Sequence, residues 1–220
     1  MIPMSFKQRY RWLLPALVFT VTLLAARAVV TGSVEFGFLL WNLFLALIPL
    51  GAAHKLRSAK GKPALYGWAF IWLLFFPNAP YIITDLVHLR ERPDIPFWVD
   101  LLLLLSAAVN GAVWGFLSLL DVEAWLLTRI QRRWVHRVIF IIMLACGFGV
   151  YLGRFLRYNS WDILTDPRDL GQDIASHIIH PFRHAEAWAL TCVFGIWCLF
   201  LYQGIKQLRS RLPTQLRNQN

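Results

Sequence analysis

The sequence has 220 residues, 58% hydrophobic and only 15% charged, with a net charge of +10. A soluble domain carries about 25% charged residues, so a soluble enzyme or binding module is excluded and an integral membrane protein is indicated. The basic residues fall in short segments between apolar runs, so the charge reads as an orientation signal and nucleic acid is not expected as a partner.

Six apolar runs predict an all-α, polytopic helix bundle in which residues 1–220 form a single integral membrane domain. Span one covers about 13–30. Lys7, Arg9 and Arg11 precede it, and Arg27 lies within it, expected either to snorkel to a surface or to pair with a carboxylate. Ala26-Arg27-Ala28 also resembles a signal-peptidase site, but the long apolar stretch favours a retained anchor. Span two covers about 36–53 and contains Asn42, read as interhelical glue.

Span three covers about 64–89 and is interrupted at 77–80 by Pro77-Asn78-Ala79-Pro80. Proline removes a backbone donor and clashes with the preceding turn, so the helix must break or kink here. Asn78 is expected to cap the following half-helix. Tyr81, Asp85 and His88 then recur at i, i+4, i+7 as a one-sided polar stripe.

Span four covers about 96–120, with Asp100 near its start, Asn110 near its middle and a small-residue seam at Ala107, Gly111 and Gly115. The apolar part of the next loop, Trp125 to Ile130, is expected to lie along the interface beside Arg129, Arg132, Arg133 and Arg137. Span five covers about 138–155, and Gly149 and Gly153 repeat the small-residue spacing. Asp166-Pro167 reads as a cap followed by a first-turn proline. Leu170, Ile174 and Ile178 then mark a short amphipathic helix lying in the interface and ending before Pro181. Span six covers about 185–205, and the polar tail after Pro213 is expected to fray. Cys146, Cys192 and Cys198 lie in apolar runs without C-x-x-C spacing and read as small buried hydrophobes.

The 22 Lys and Arg divide fifteen to six between the two sides of such a bundle, with Arg27 inside span one. The richer side holds both termini, so the positive-inside rule places the termini in the cytoplasm. The opposite face then carries the candidate ligand-binding residues Asn78, Tyr81, Asp85, His88, Arg154, Arg157, Asn159, Ser160 and Asp162. Arg154 and Arg157, at i, i+3, are suited either to clamp an anion or to neutralise Asp85, Asp100 or Asp162. Asp85, His88 and Asp162 are the candidates for catalysis, with Asp85 or Asp162 as general base. His88, His177, His180 and His184 are candidates to ligate a divalent metal, although no dedicated metal motif is present. No Walker or dinucleotide fingerprint exists, so no nucleotide cofactor is expected.

Trp41-Asn42-Leu43-Phe44-Leu45-Ala46, the run from Phe76 through Pro80 to Leu89, and Gly153-Arg154-Phe155-Leu156-Arg157-Tyr158-Asn159-Ser160-Trp161-Asp162 resemble a family of bacterial multi-pass membrane proteins catalogued as a domain of unknown function. The resemblance implies a cytoplasmic-membrane protein and brings no reaction, ligand or cofactor.

Three readings follow. The first is an outward polar pocket that binds or transports a polar or anionic small molecule or a membrane-lipid headgroup. The second is a membrane-embedded hydrolase or transferase, metal-dependent or not, at the outer leaflet. The third is a structural or assembly protein, which the small-residue seams and the 11 tryptophans suit.

Overall fold

The computed structural model describes Phe6 and residues 10–211, with residues 209–211 by backbone only. Lys7, Arg9, Arg217 and the tail after Pro213 lie outside the described residues, as do the side chains of Arg209 and Arg211. The fold is all-helical, and among the described residues the only β pairing is an isolated bridge between Arg92 and Ile95. The helices are α1 (Leu14–Thr31), α2 (Phe38–Ser58), α3 (Lys62–Phe75), α4 (Asn78–Tyr81), α5 (Phe97–Leu127), α6 (Arg132–Arg154), α7 (Asp162–Thr165), α8 (Pro167–Ile179) and α9 (Ala185–Arg211). Six stretches are long and apolar enough to cross a membrane: Arg11–Thr31, Phe38–Ser58, Lys62–His88, Phe97–Leu127, Arg132–Arg154 and Ala185–Leu208. The described residues fold as two compact units, one holding those up to Val122 together with the end of α9 from Leu208, and the other Glu123–Gln207.

In the first unit, α2 buries Leu39, Leu43, Ala46, Leu50 and Ala53, a stripe at helical spacing. Leu103, Leu104 and Ala107 of α5 and Ala79 and Ile82 of the third span complete the core. Polar side chains cross-link the helices within it. Asn110 Nδ2 donates to the Ala16 carbonyl at 3.1 Å and to Thr20 Oγ1 at 2.9 Å, and Trp72 Nε1 donates to Ser118 Oγ at 3.0 Å. Such bonds suit an apolar surrounding in which an unpaired donor would be costly.

The third span is interrupted where the prolines require it, and the chain stays helical through the break. Phe76, Pro77, Tyr81 and Ile82 all keep right-handed helical angles, and residues Ile82–His88 tighten into a 3-10 turn. Pro80 has no N–H for the Phe76 carbonyl, which accepts instead from Ala79 N at 3.2 Å. That shift deprives the Phe75 carbonyl, and Asn78 Nδ2 supplies the replacement donor at 3.1 Å. The expected cap is therefore corrected: Asn78 donates backward across the break, and Pro77 occupies the cap position with no side-chain bond.

The small-residue seam of α5 receives this interrupted segment. A Cβ on Gly111 would lie 2.5 Å from the Ala79 carbonyl oxygen, and one on Gly115 would lie 2.8 Å from Ala79 Cβ. Only hydrogen at those positions lets the proline-broken backbone lie against α5.

α5 is longer than expected. Its 31 residues at ~1.5 Å each reach about 46 Å, so the segment from Trp125 to Leu127 is the end of a span rather than an interfacial loop. No proline or glycine lies between Phe116 and Leu127 to stop it. The two carboxylates near this end are satisfied sideways, each in its own unit. Asp121 accepts from Tyr10 and, at 2.8 Å, from Arg57, while Glu123 accepts from Tyr202 and Lys206. α6 likewise starts at Arg132, before the expected Val138, and in its first turns Arg137 and Arg133 lie over the Trp134 ring at 4.6 and 5.9 Å.

In the second unit, α6 and α9 approach through reciprocal glycines. A Cβ on Gly147 would sit 2.4 Å from the Thr191 carbonyl oxygen, and one on Gly195 would sit 2.7 Å from the Met143 carbonyl oxygen. Cys146 and Cys198 are buried as expected, whereas Cys192 is exposed. α8 occupies the predicted stretch, but its buried face differs. His177 is buried and Ile178 is exposed, so the inward stripe runs through Leu170, Asp173, Ile174 and His177. Asp166 precedes α8 without a side-chain capping bond.

Candidate functional site

The densest polar constellation of the first unit was only partly legible in the sequence. Arg27 Nε donates to Asp100 Oδ1 at 2.7 Å, and Arg92 Nη1 donates to Asp100 Oδ2 at 2.8 Å. Arg92 also holds Glu35 through Nη2 at 2.8 Å and Nε at 3.1 Å, and Arg90 Nη2 reaches Glu35 Oε1 at 2.9 Å. The buried Phe36 ring takes the Arg27 guanidinium at 4.4 Å and that of Arg92 at 4.9 Å. Arg27 thus pairs with a carboxylate, the second of its two expected fates. The acid Asp100 is neutralised by Arg27 and Arg92. Within the stretch Ala26-Arg27-Ala28 of α1, Arg27 is buried, Ala28 half-buried and Ala26 exposed.

The hydrogen bond from Arg92 holds Glu35 at about 2, below its ordinary 4.5; burial opposes the shift and Arg90 adds to it. Arg92 in turn is raised by Glu35. A folded value below the unfolded one means that this stabilisation is complete above pH 4.5 and is lost as the pH falls toward about 2. We expect the thermal midpoint of the wild type to fall through that window, and the gap between wild type and Glu35→Gln to shrink with it. A pH-independent gap in a detergent thermal-shift series would contradict the assignment.

The third-span candidates all have structural partners in the first unit. Asp85 is buried and accepts from Asn42 Nδ2 at 2.8 Å, which makes Asn42 the interhelical glue it was expected to be. The His88 ring lies 5.1 Å from that of Phe38, and the Tyr81 carbonyl accepts from Thr84 Oγ1 at 2.7 Å.

The other candidates belong to the second unit. Asp162 is occupied in shaping its own turn. Oδ2 accepts from the Asn159 N–H at 2.6 Å and Oδ1 accepts from Thr165 Oγ1 at 2.9 Å. Asn159 and Asp162 bracket the start of α7 much as a capping box does. Ser160 is half-buried beside them. Arg154 ends α6, and Arg157 lies exposed in the left-handed region at φ 62°. Arg157 makes no hydrogen bond or ion pair among the described residues. Tyr158 N–H then turns back to the Leu152 carbonyl at 3.1 Å, and Tyr158 Oη donates to Asp173 Oδ2 at 2.8 Å. That bond is the main reason the Tyr158 hydroxyl is pushed up to about 12.

The histidines form a compact group within this unit. His177 is fixed at both nitrogens. Nδ1 faces the Asp173 carbonyl at 2.7 Å, so it carries the proton, and Nε2 is left to accept from Tyr151 Oη at 3.2 Å. The His184 ring stacks on His177 with centroids 3.8 Å apart, and its Nε2 lies 3.1 Å from Ser176 Oγ. His184 is lowered below the ordinary histidine value, first by burial and then by the neighbouring His177 and His180. His180 is exposed at the end of α8. Among the described residues, no group of three or more His, Cys, Asp or Glu side chains is placed to hold a metal. With both its nitrogens engaged, His177 offers no lone pair to a cation.

Sequence reasoning missed the Glu35 clasp, the Asp121 and Glu123 anchors and the Ser176–His184 contact. The first two carry a usable signal, since ionisable residues inside or beside an apolar run demand a partner. No curated protein and no solved structure matches the chain. A family described as "Protein of unknown function (DUF1361)" matches residues 41–201. That match covers most of the chain, from the tryptophan of α2 to the last span, and the protein belongs to this family of membrane-type helical proteins of unknown function.

Proposed function

We propose that this is a plasma-membrane protein whose α6–α9 connection faces away from the cytoplasm and binds an anionic group, the phosphate of a lipid headgroup or of a free ligand. The observation that carries this reading is Arg157. A left-handed backbone normally selects glycine, and a residue with a Cβ gives up about 1–2 kcal/mol there. An exposed arginine without a carboxylate partner at such a position indicates that the side chain is wanted for something outside the fold. Guanidinium matches phosphate in geometry as well as charge.

The surroundings favour the lipid source. The same connection exposes Phe155, Leu164, Ile178, Ile179 and Phe182. The outward face of α8 carries Gly171, Ala175, Ile178 and Ile179, with Arg168 among them and Asp169, Gln172 and His180 alongside. A helix with one face on protein and apolar side chains beside cationic and polar ones on the other suits the boundary between lipid and water. Arg154, Asn159, Ser160 and Asp162 lie in the same connection and would shape the approach to Arg157.

Arg157→Gly separates binding from folding, because the two effects have opposite signs. The variant is expected to match or exceed wild-type thermal stability, since glycine relaxes the backbone. It is expected to retain several-fold less phosphatidylglycerol than wild type after purification from mixed vesicles, with phosphatidylcholine unchanged. Soluble phosphate tested by calorimetry distinguishes a free anion from a headgroup. Equal lipid retention by both proteins, with no phosphate binding by the wild type, would remove this reading.

A further inference from the structure

We infer that Ser176 and His184 form a nucleophile–base pair that cleaves acyl esters of lipids at the membrane surface. This rests on the interfacial placement of α8 proposed above. The Oγ–Nε2 separation of 3.1 Å is within the reach expected of such a pair. The base is oriented by a third group, as the activated-nucleophile pattern requires. His184 stacks on His177, whose ring cannot turn because Asp173 and Tyr151 hold both nitrogens. Trp188 Nε1 closes the corner by donating to the His177 carbonyl at 3.0 Å. His177 is thus a positioning residue for His184.

Two further features suit the chemistry. Burial first, and then the neighbouring His177 and His180, lower His184 below the ordinary histidine value, which favours the neutral form a base needs. Ser176 and His184 are half-buried rather than sealed. Ser176 lies in the polar sector of α8, between Gln172 and Asp169 around the helix. In a phospholipid, the ester linkage occupies the boundary between headgroup and chain.

The steps balance without an absent cofactor. Ser176 Oγ attacks the ester carbonyl carbon while its proton passes to His184 Nε2. The carbon–oxygen bond to the lyso-lipid breaks, and that alcohol departs with the proton from His184. Water, deprotonated by His184, then attacks the acyl-serine. The bond to Oγ breaks, Ser176 recovers its proton, and a fatty acid is released.

The test uses the full-length protein in nanodiscs of ester-linked phosphatidylglycerol and phosphatidylcholine, treated with a fluorophosphonate. The expected result is one adduct on Ser176, located by mass spectrometry. Labelling is expected to be lost in Ser176→Ala and to slow about 100-fold or more in His184→Gln. Wild type, and not Ser176→Ala, should release fatty acid. The labelling rate should rise with pH through a midpoint below 6.5. The charged and titratable groups facing His184 are His177, His180, Arg183 and Asp173, with Tyr151 and Tyr158 beyond. His177→Phe preserves a stacked ring and removes an imidazole that lowers His184, so the midpoint should move up.

Absence of an adduct on wild-type Ser176 overturns the proposal, whether or not the variants fold. Equal labelling of Ser176→Ala overturns it as well. The placement is read separately, from a bimane on Ile178→Cys in a background with Cys146, Cys192 and Cys198 replaced by alanine. Quenching by brominated lipid without an adduct removes the dyad alone, and absence of quenching removes the interfacial reading on which it rests.

Discussion

Asp100→Ala is expected to destabilise the first unit by about 3–5 kcal/mol, the usual consequence of removing one partner from a buried ion pair. Asp100 is fully buried and takes hydrogen bonds from both Arg27 and Arg92. Its loss leaves Arg27, which is only 2% exposed and already has one nitrogen, Nη1, without a partner, with only the longer 3.5 Å contact to the half-exposed Glu35. Arg92 is less affected, because Glu35 still holds it. The asymmetry gives the experiment its control. Adding Arg27→Met to Asp100→Ala removes that buried charge and should recover much of the loss, as apolar replacement of a buried pair often does. Unfolding in a mixed-detergent titration measures both variants. If the double variant is no better than the single, the cost of Asp100→Ala is packing rather than charge.

Gly111→Val is expected to be the most damaging change among the helix-interior glycines of the first unit. Its Cβ would lie 2.5 Å from the Ala79 carbonyl oxygen and 2.8 Å from Ile82 Cδ1. Overpacking ordinarily costs about 1–3 kcal/mol because side chains move aside. The Ala79 oxygen is backbone, held in place by two prolines, so the upper end or beyond is expected here. Gly67→Ala is the contrasting case. Nothing lies within 4 Å of its Cβ position, and replacing an open helical glycine by alanine should stabilise by roughly 0.5–1 kcal/mol. Opposite signs in the same thermal-shift assay are the expected outcome. A neutral Gly111→Val would mean that α5 and the proline segment are not in close contact.

Both experiments probe places where sequence and structure divide the explanation. The proline break, the seam at Ala107, Gly111 and Gly115, and the polar residues Asn42 and Arg27 were all legible, because each breaks a local rule that has few remedies. A proline in a span must free a carbonyl. An arginine in a span must find an acid or a surface. What could not be read was the identity of the remedy. Asn78 looks like a cap from its neighbours, but it donates to the Phe75 carbonyl because Ala79 has moved its own bond to Phe76. Asp162 reads as a candidate base or ligand group, but Asn159 and Thr165 occupy it. The expected end of α5 near residue 120 falls short of Leu127 for a related reason. Charged residues at a span end read as a boundary unless the distant tyrosines and cations that satisfy them are known.

The sequence by itself determined that this chain is helical, that it has six stretches able to cross a membrane, and where the third is interrupted. These follow from apolar length and from the missing proline N–H, both local properties. Tertiary structure alone decided the partners: that Arg27 meets Asp100, that Gly111 receives Ala79, and that Ser176 faces His184. The reason is that a buried charge, a close backbone approach or a reactive hydrogen bond is specified by two groups at once. One strand of text shows each demand, while only the packed chain shows which distant residue answers it.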